Sequence, residues 1–520
     1  MELCRTGSRR PADSVFYNGN ILTQATGRAN TAALAVRDGR IAFAGSNADV
    51  LTLAGTETQK VDLQGKTVVP GFCDSHLHFV MYGLGLASTA DLSASDSIEG
   101  LLETLALHRD RTPFEWILGR GFDQSKVREA RFPTREDLDR ISATRPLLIT
   151  RVCGHAAVAN SAAIALLSEA ERGAGDPETG LYTEGDIRAF WNRMPKTSPA
   201  EMEAAVLRAS EVALRTGITS IGTLIDTVDQ IGAYQRLQRR GTLPLRVTMM
   251  PPYSAVAALH EHGIATGFGN EWLQFGGAKF FSDGSLGART ALMAEPYSDD
   301  LDNRQNLGIR IYEPNDLKNK AADAQEKGFQ LVIHAIGDQA NRESLDAIEH
   351  ALGPDGDNGY HRHRIEHASV LSPDLLRRMA ERRILAVIQP QFVQSDVWTG
   401  ERVGRERARG AYPFRTMRDA GIPLALSSDC PVEKLDAFAC LDAAVNRAPW
   451  SPDERLTVEE ALHDYTYGSA YALHRETEIG TLEVGKLADF VVLSQNPIGN
   501  ESAIRGVTAE QVFVGGKQAV

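Results

Sequence analysis

No apolar run of roughly 18 residues occurs in this sequence, so no membrane span is expected. The opening stretch "MELCRTGSRRPADS" carries charge with no apolar segment behind it, which argues against a signal peptide. Cysteine is scarce and scattered. Cys4, Cys73, Cys153, Cys430 and Cys440 form no CxxC pair. That pattern argues against a disulfide framework and for reduced thiols, with a cytoplasmic location as the expectation. A basic excess is lacking too. The net charge of −13 repels phosphates, so neither nucleic acid nor an anionic membrane is expected as a partner. There is no Walker A loop and no GxSxG elbow, which removes two common hydrolase chemistries. What is present is an ordinary globular composition, 42% hydrophobic and 24% charged. Length alone allows about one to four domains.

Residues 14–70 read as short strands and turns. "SVFYNGNILT" and "AALAVRDGRIAFAGS" place Asn-Gly and Asp-Gly between apolar runs, a hairpin signal. The C-terminal stretches "IGTLEVGKLADFVVLS" and "EQVFVGGKQAV" have the same texture, which suggests one small sheet domain built from both ends. Between them lie eight apolar strand candidates: "TVVPGFCDSH", "GITSIGTLID", "LRVTMM", "FGGAKFFSDG", "FQLVIHAIG", "RIEHA", "ILAVIQP" and "LALSSD". Helical stretches such as "PAEMEAAVLRASEVALRTG" and "EPNDLKNKAADAQEKG" separate most of them and end at glycine. Alternating strands and helices imply a parallel sheet. Eight such strands suit a (β/α)8 TIM barrel, with chemistry at the C-terminal strand ends. The stretch of about 90–200 is too long for a loop and reads as an insertion capping the barrel mouth.

Histidine is sparse, 13 in 520 residues, so its placement is informative. "GFCDSHLHF", residues 71–79, sets His76 and His78 two apart at the end of the first strand candidate. Side chains on a strand alternate with period two, so the two imidazoles project together while Leu77 faces away. Converging imidazoles chelate zinc, iron, nickel or copper more readily than magnesium. The alternative is two unrelated histidines beside a loop. Other strand candidates also end in polar residues: His334 in "FQLVIHAIGD", His367 in "HRHRIEHA" and Asp429 in "LALSSDCP". Lys279 lies in the apolar "GGAKFFSDG". A lone strand histidine is usually a core residue, but this set faces one mouth.

With those residues in place, the sequence resembles the amidohydrolase superfamily of metal-dependent hydrolases. Within it the chain resembles the branch of N-substituted formamide deformylases, amidohydrolase family 3. "VVPGFCDSHLHF", "RGFDQSKV", "CGHAAVANSAAI", "KFFSDGSLGARTALMAEPYSD", "HAIGDQAN", "HRIEHAS", "SSDCPV" and "IGTLEVGKLADFVVL" carry the resemblance across nearly the whole chain. It implies a metal-dependent hydrolase TIM barrel over 71–475 and a composite β-sandwich from 1–70 and 476–520. It also implies that His76, His78, His334, His367 and Asp429 hold one or two divalent metals, Zn2+ first among them. Lys279 would be a carboxylated lysine bridging two metals. "GITSIGTLID" is longer than the family's "GxTSVxD"-like segment, so Asp226 is not carried over.

Further candidates follow from chemistry at the mouth. His155 in "CGHAAVANS" reads as a substrate contact or a structural hydrogen bond. Asp283, Ser285 and Arg289 lie in the Gly-rich "DGSLGART", where Arg289 suits a carboxylate; turn chemistry and a surface ion pair are the alternative. His361 and His363 form a second HxH and read as a solvated strand start. The expected reaction is hydrolysis of an amide-type C–N bond in a small molecule, with Asp429 as general base and then acid. A ring-amidine deaminase, an ester or lactone hydrolase, and a non-catalytic scaffold relative are the rivals. Whether the chain is a homo-oligomer stays open.

Overall fold

The computed structural model describes residues 10–25, 27, 30–112, 114–152, 154, 156–301, 303–354 and 356–520. Cys4, Cys153, the candidate His155 and most of the opening stretch lie outside the described residues. The chain divides into two compact units, Met1–His78 with Ser210–Val520, and Phe79–Ala209.

Parallel strands organise the first unit. β1 (Phe72–Leu77), β2 (Ile218–Leu224), β3 (Arg246–Met250) and β4 (Leu273–Phe275) pair in that order, all parallel. A second parallel sheet runs β5 (Ala278–Phe281), β6 (Leu331–Ala335), β7 (Arg364–His367), β8 (Leu385–Ile388) and β9 (Leu424–Leu426). Most of these strands are buried along their whole length, as strands covered on both faces must be. The fold is mixed α/β with parallel sheets.

The fourth expected strand is thus two strands, because Gly276 and Gly277 interrupt it. A Cβ on Gly276 would meet Thr248 Cγ2 at 2.8 Å, and one on Gly277 the Gln330 carbonyl oxygen at 2.6 Å. β4 ends one sheet and β5 begins the next. Across this join the Lys279 amide donates to the Pro251 carbonyl at 2.8 Å. At the opposite margins, β1 is bonded to the chain at and beyond β9. Ser75 Oγ donates to the Leu426 carbonyl at 3.0 Å. Asp429 N donates to His76 O at 2.9 Å and His78 N to Cys430 O at 2.7 Å.

Two of the expected helices span Pro199–Arg215 and Pro314–Glu326, and each is followed by a glycine with positive φ, Gly217 at +84° and Gly328 at +82°. Among the described residues no helix is long and apolar enough to cross a membrane. Cys73, Cys430 and Cys440 are buried, and no disulfide forms among the described residues.

Near the ends of the chain, Ala33–Arg37 and Arg40–Gly45 form an antiparallel hairpin, with Asp38 and Gly39 at φ +52° and +73°. This is the turn that Asp-Gly favours. The Asn-Gly pair in "SVFYNGNILT" does not make a hairpin. Ala12–Tyr17 pairs with Ala33–Arg37, while Asn20–Ile21 belongs to a different sheet beside Thr67–Pro70. Asn18 takes φ +57° but Gly19 does not take a positive φ, and a type I′ turn needs both. The sheet containing Thr67–Pro70 joins both ends of the chain. Thr67–Pro70 pairs antiparallel with Phe490–Leu493, which pairs with Ala509–Val514. Phe16, Leu34 and Val68 share one apolar cluster with Phe490, Val492 and Phe513.

The second unit has a five-stranded sheet running Leu181–Thr183, Ala156–Ala159, Leu147–Arg151, Ile117–Phe122 and Thr89–Asp91. It has apolar clusters of its own, around Leu101, Leu105 and Ile149 and around Leu148, Tyr182 and Phe190.

Candidate metal centre

β1 delivers His76, while His78 stands one residue beyond its end. The strict period-two expectation therefore applies only to His76, yet both rings reach one carboxylate. His76 Nε2 lies 3.3 Å and His78 Nε2 3.8 Å from Asp429 Oδ1. One donor atom from each of His76, His78 and Asp429 falls within 4.8 Å of the others. His367 closes β7, and its ring centroid is 5.1 Å from His76 and 4.5 Å from His334. Lys279 on β5 is 4% exposed, and its Nζ has no hydrogen-bond partner. The amine lies 4.6 Å from the Phe281 ring centroid. Burial pulls the Lys279 ammonium down to about 8, although Glu366, Asp429 and Asp226 favour its charge.

Each of the four histidines has one ring nitrogen already occupied. His76 Nδ1 is bonded to Glu366, and His78 Nδ1 to Asp226 at 2.7 Å. His367 Nδ1 meets Gln389 Oε1 at 2.7 Å, and His334 Nε2 meets the Gly284 carbonyl at 3.0 Å. All four partners are acceptors, so the occupied nitrogen carries the hydrogen and the other is left with a lone pair. For His76 and His78 that lone pair faces the Asp429 carboxylate, acceptor against acceptor. The space between them calls for a cation, either a shared proton or a divalent metal. Imidazole nitrogens and a carboxylate are the donors that transition metals take.

The electrostatics agree. Burial opposes charge on Asp429, but His76, His367 and His78 outweigh it and hold the carboxyl well below the usual range. Burial also opposes charge on His78, and Asp226 outweighs it, raising the imidazole above its ordinary value. Two of the converging residues occupy the left-handed backbone region, His367 at φ +72° and Asp429 at φ +55°. Such conformations persist in side-chain-bearing residues where surrounding structure enforces them, and they concentrate at functional sites.

Of the remaining candidates, Asp283 stays beside the centre, its Oδ1 3.3 Å from His334 Nε2, and the other described ones sit elsewhere. The Asp283 carboxylate is buried and accepts from the amides of Leu292, Ile336 and Gly337, which ties its loop to the end of β6. Arg289 is turned to Asp299, in a two-bond pair with both contacts at 3.0 Å. The second HxH is not a solvated strand start. His361 ends a short helix, Arg362 takes φ +53°, and β7 begins only at Arg364. His363 is fully buried because both its nitrogens are used, one accepting from Leu331 N at 3.0 Å and one meeting Gln325 Oε1 at 2.6 Å.

A family model described as the amidohydrolase family matches residues 59–520. The chain belongs to the amidohydrolase family. It is an amidohydrolase-type hydrolase with a candidate metal site at His76, His78 and Asp429. The crystal structure of an uncharacterized metal-dependent hydrolase from Pyrococcus furiosus is similar over 93% of this chain and 99% of that one, at 34% identity and a TM-score of 0.79. The protein LONG AFTER FAR-RED 3 of Arabidopsis thaliana is 32% identical over 98% of this chain and 91% of its own. The N-substituted formamide deformylase of Arthrobacter pascens is 28% identical over 94% of each chain.

Three residues at this amidohydrolase site escape reading from strand ends alone: Asp226, Glu366 and Gln389. Asp226 lies in the long "GITSIGTLID" segment, where β2 ends at Leu224 and leaves Asp226 in reach of His78. Glu366 and Gln389 lie within or just past apolar strands, a signal in itself, since a buried polar side chain there needs a partner.

Proposed function

We propose that this amidohydrolase cleaves an amide-type C–N bond in a small molecule, N-substituted formamides being the substrate class, with Asp429 moving the proton. The observation that carries the reading is the carboxylate of Asp429 facing two imidazole lone pairs, His76 at 3.3 Å and His78 at 3.8 Å. His76, His78, His334, His367 and Asp429 would hold one or two divalent metals, Zn2+ by preference, and Lys279 as a carbamate would bridge two. A divalent metal held there supplies Lewis acidity, which acidifies water and polarises the substrate carbonyl. Asp429 accepts a proton from the attacking water and returns it to the departing nitrogen, which leaves poorly as an anion. Glu366, Asp226 and Gln389 keep the imidazoles in one tautomer while this happens.

In this reading β1–β9 close into one (β/α)8 barrel, with β4 and β5 sharing the fourth position. The hydrogen bonds of Lys279 to Pro251 and of Asp429 to His76 support that closure. The end sheets form a composite β-sandwich. Two aromatic rings support an apolar substituent on the substrate. Phe392 stacks on His367 with centroids 5.9 Å apart, and Phe281, 42% exposed, tilts against His334 at 5.6 Å.

The test is a panel of N-formyl and N-acyl amines offered to zinc-loaded protein, with amine release measured. Turnover that disappears on chelation and returns on metal addition is expected. Ammonia release from a ring amidine, with every amide left intact, would move the chain to the deaminase rival. A purified chain carrying no metal and taking none up would mark it as a scaffold.

A further inference from the structure

We propose that Glu366 is a positioning residue: it fixes the ring of His76 and the hydrogen on its Nδ1, and so sets how tightly the site holds a divalent cation. The proposal rests on the metal reading above. Arg364 and Glu366 lie two apart on β7 and are both fully buried, as is nearly all of His76. Their carboxylate and guanidinium are in contact, Arg364 Nε lying 2.7 Å from Glu366 Oε1 and Nη2 donating to Oε2 at 3.2 Å. A structural ion pair would be complete at this point. Glu366 instead also presents Oε2 to the Nδ1 of His76.

The guanidinium extends the grip. Arg364 Nη2 donates to the Ser75 carbonyl at 3.0 Å, and Nη1 to the Ala472 carbonyl at 3.2 Å. Ser75 precedes His76 on β1. One end of the relay therefore holds the main chain that carries His76, and the other end holds its ring. The other partners of the four histidines differ: Gln389 is neutral, Gly284 offers a backbone carbonyl, and Asp226 is exposed. Asp283, also buried, lies 3.3 Å from His334 Nε2 but is held by three backbone amides, whereas Glu366 is held by a fully buried guanidinium. With its ring fixed, His76 Nε2 stands ready toward Asp429 before any metal arrives. Loss of the acceptor frees rotation about the Cβ–Cγ bond and lets the hydrogen move to Nε2, where it blocks a ligand.

The test reads metal affinity, not turnover. Metal-free full-length protein is titrated with Co2+ against a chromophoric chelator, and the visible spectrum of the cobalt protein is recorded. Partners of this kind are typically worth ~10- to 100-fold in metal affinity. Glu366→Gln is expected to weaken Co2+ binding by about that factor and to shift the cobalt bands. The melting temperature of the metal-free protein serves as the control for a merely structural role. Should Glu366→Gln fail to fold with Arg364 left unpaired, the double variant Arg364→Met/Glu366→Leu reads the same quantity. It removes both charges, a change that buried ion pairs often tolerate. A folded variant of either kind with wild-type Co2+ affinity and spectrum overturns the proposal. So does a variant that only melts lower while its folded fraction binds Co2+ normally. A wild-type chain that takes up no divalent cation overturns the metal reading itself and is distinguishable from both.

Discussion

Asp429 holds a backbone conformation, φ +55°, that Asn tolerates as well as Asp does. Asp429→Asn should therefore fold normally and lose the proton acceptor together with an anionic metal ligand. Turnover of an accepted amide is expected to fall by ~10²–10⁴-fold; a loss under tenfold would assign the proton to another group. A second residue titrates away from this centre. Burial pushes the Asp396 carboxyl up to about 7, against the Tyr412 hydroxyl that donates to it and with Glu433 adding to the rise. The unfolded value is 3.8, so between roughly pH 4 and 7 the folded chain binds the extra proton. Stability must then fall as pH rises through that window. Asp396→Asn removes this dependence, and its melting temperature should gain on the wild type between pH 5 and pH 8. An unchanged gap would show that Asp396 is charged without cost. At this scale the sequence was legible where chemistry is rare: two histidines at spacing two, and polar residues closing apolar strands. It was illegible where a residue acts through another. Glu366 and Gln389 look like flaws in apolar strands until their histidines are seen beside them, and the sequence does not show that Asp283, beside His334, is held there by three amides.

The interrupted strand is the feature to test at the scale of elements. Gly277 lies against the Gln330 carbonyl at the start of β6, and backbone cannot step aside for a Cβ at 2.6 Å. Gly277→Ala should destabilise the fold by about 1–3 kcal/mol, the usual cost of overpacking, seen as a lower denaturant midpoint. A midpoint equal to wild type would mean that the strands re-seat freely. The helices ending at Gly217 and Gly328 and the Asp38-Gly39 hairpin were readable because local chemistry decides them. The Asn18-Gly19 turn and the His361–His363 segment were not, because long-range partners decide those. Asn20–Ile21 leaves the hairpin to join Thr67–Pro70, and His363 is drawn inward by Leu331 and Gln325.

Across the first unit as a whole, one buried ion pair ties β3 to the C-terminal sheet. Arg246 Nη2 donates to Asp489 Oδ1 at 2.8 Å, and the same oxygen accepts from Gly515 N at 2.7 Å. Asp489→Ala strands the guanidinium of Arg246, which is 1% exposed. The expected loss is about 3–5 kcal/mol, measured by denaturant unfolding. A loss under about 1 kcal/mol would mean that the Glu271 carbonyl and the Trp272 ring, both in contact with Arg246, suffice to hold it.

The pairing of Pro70 with Phe490 joins residues roughly 400 positions apart, and this sets an order in time. On a ribosome adding about 5–20 residues per second, Thr67–Pro70 waits roughly 20–80 s for its partner strand. Throughout that interval one edge of the strand is unpaired, and the apolar side chains of Phe16, Leu34 and Val68 lack the rings of Phe490 and Phe513 that cover them. The growing chain thus carries a sticky beginning until its last strands arrive. Nascent chains arrested before residue 490 should be captured by chaperones or aggregate, while chains released at full length should not.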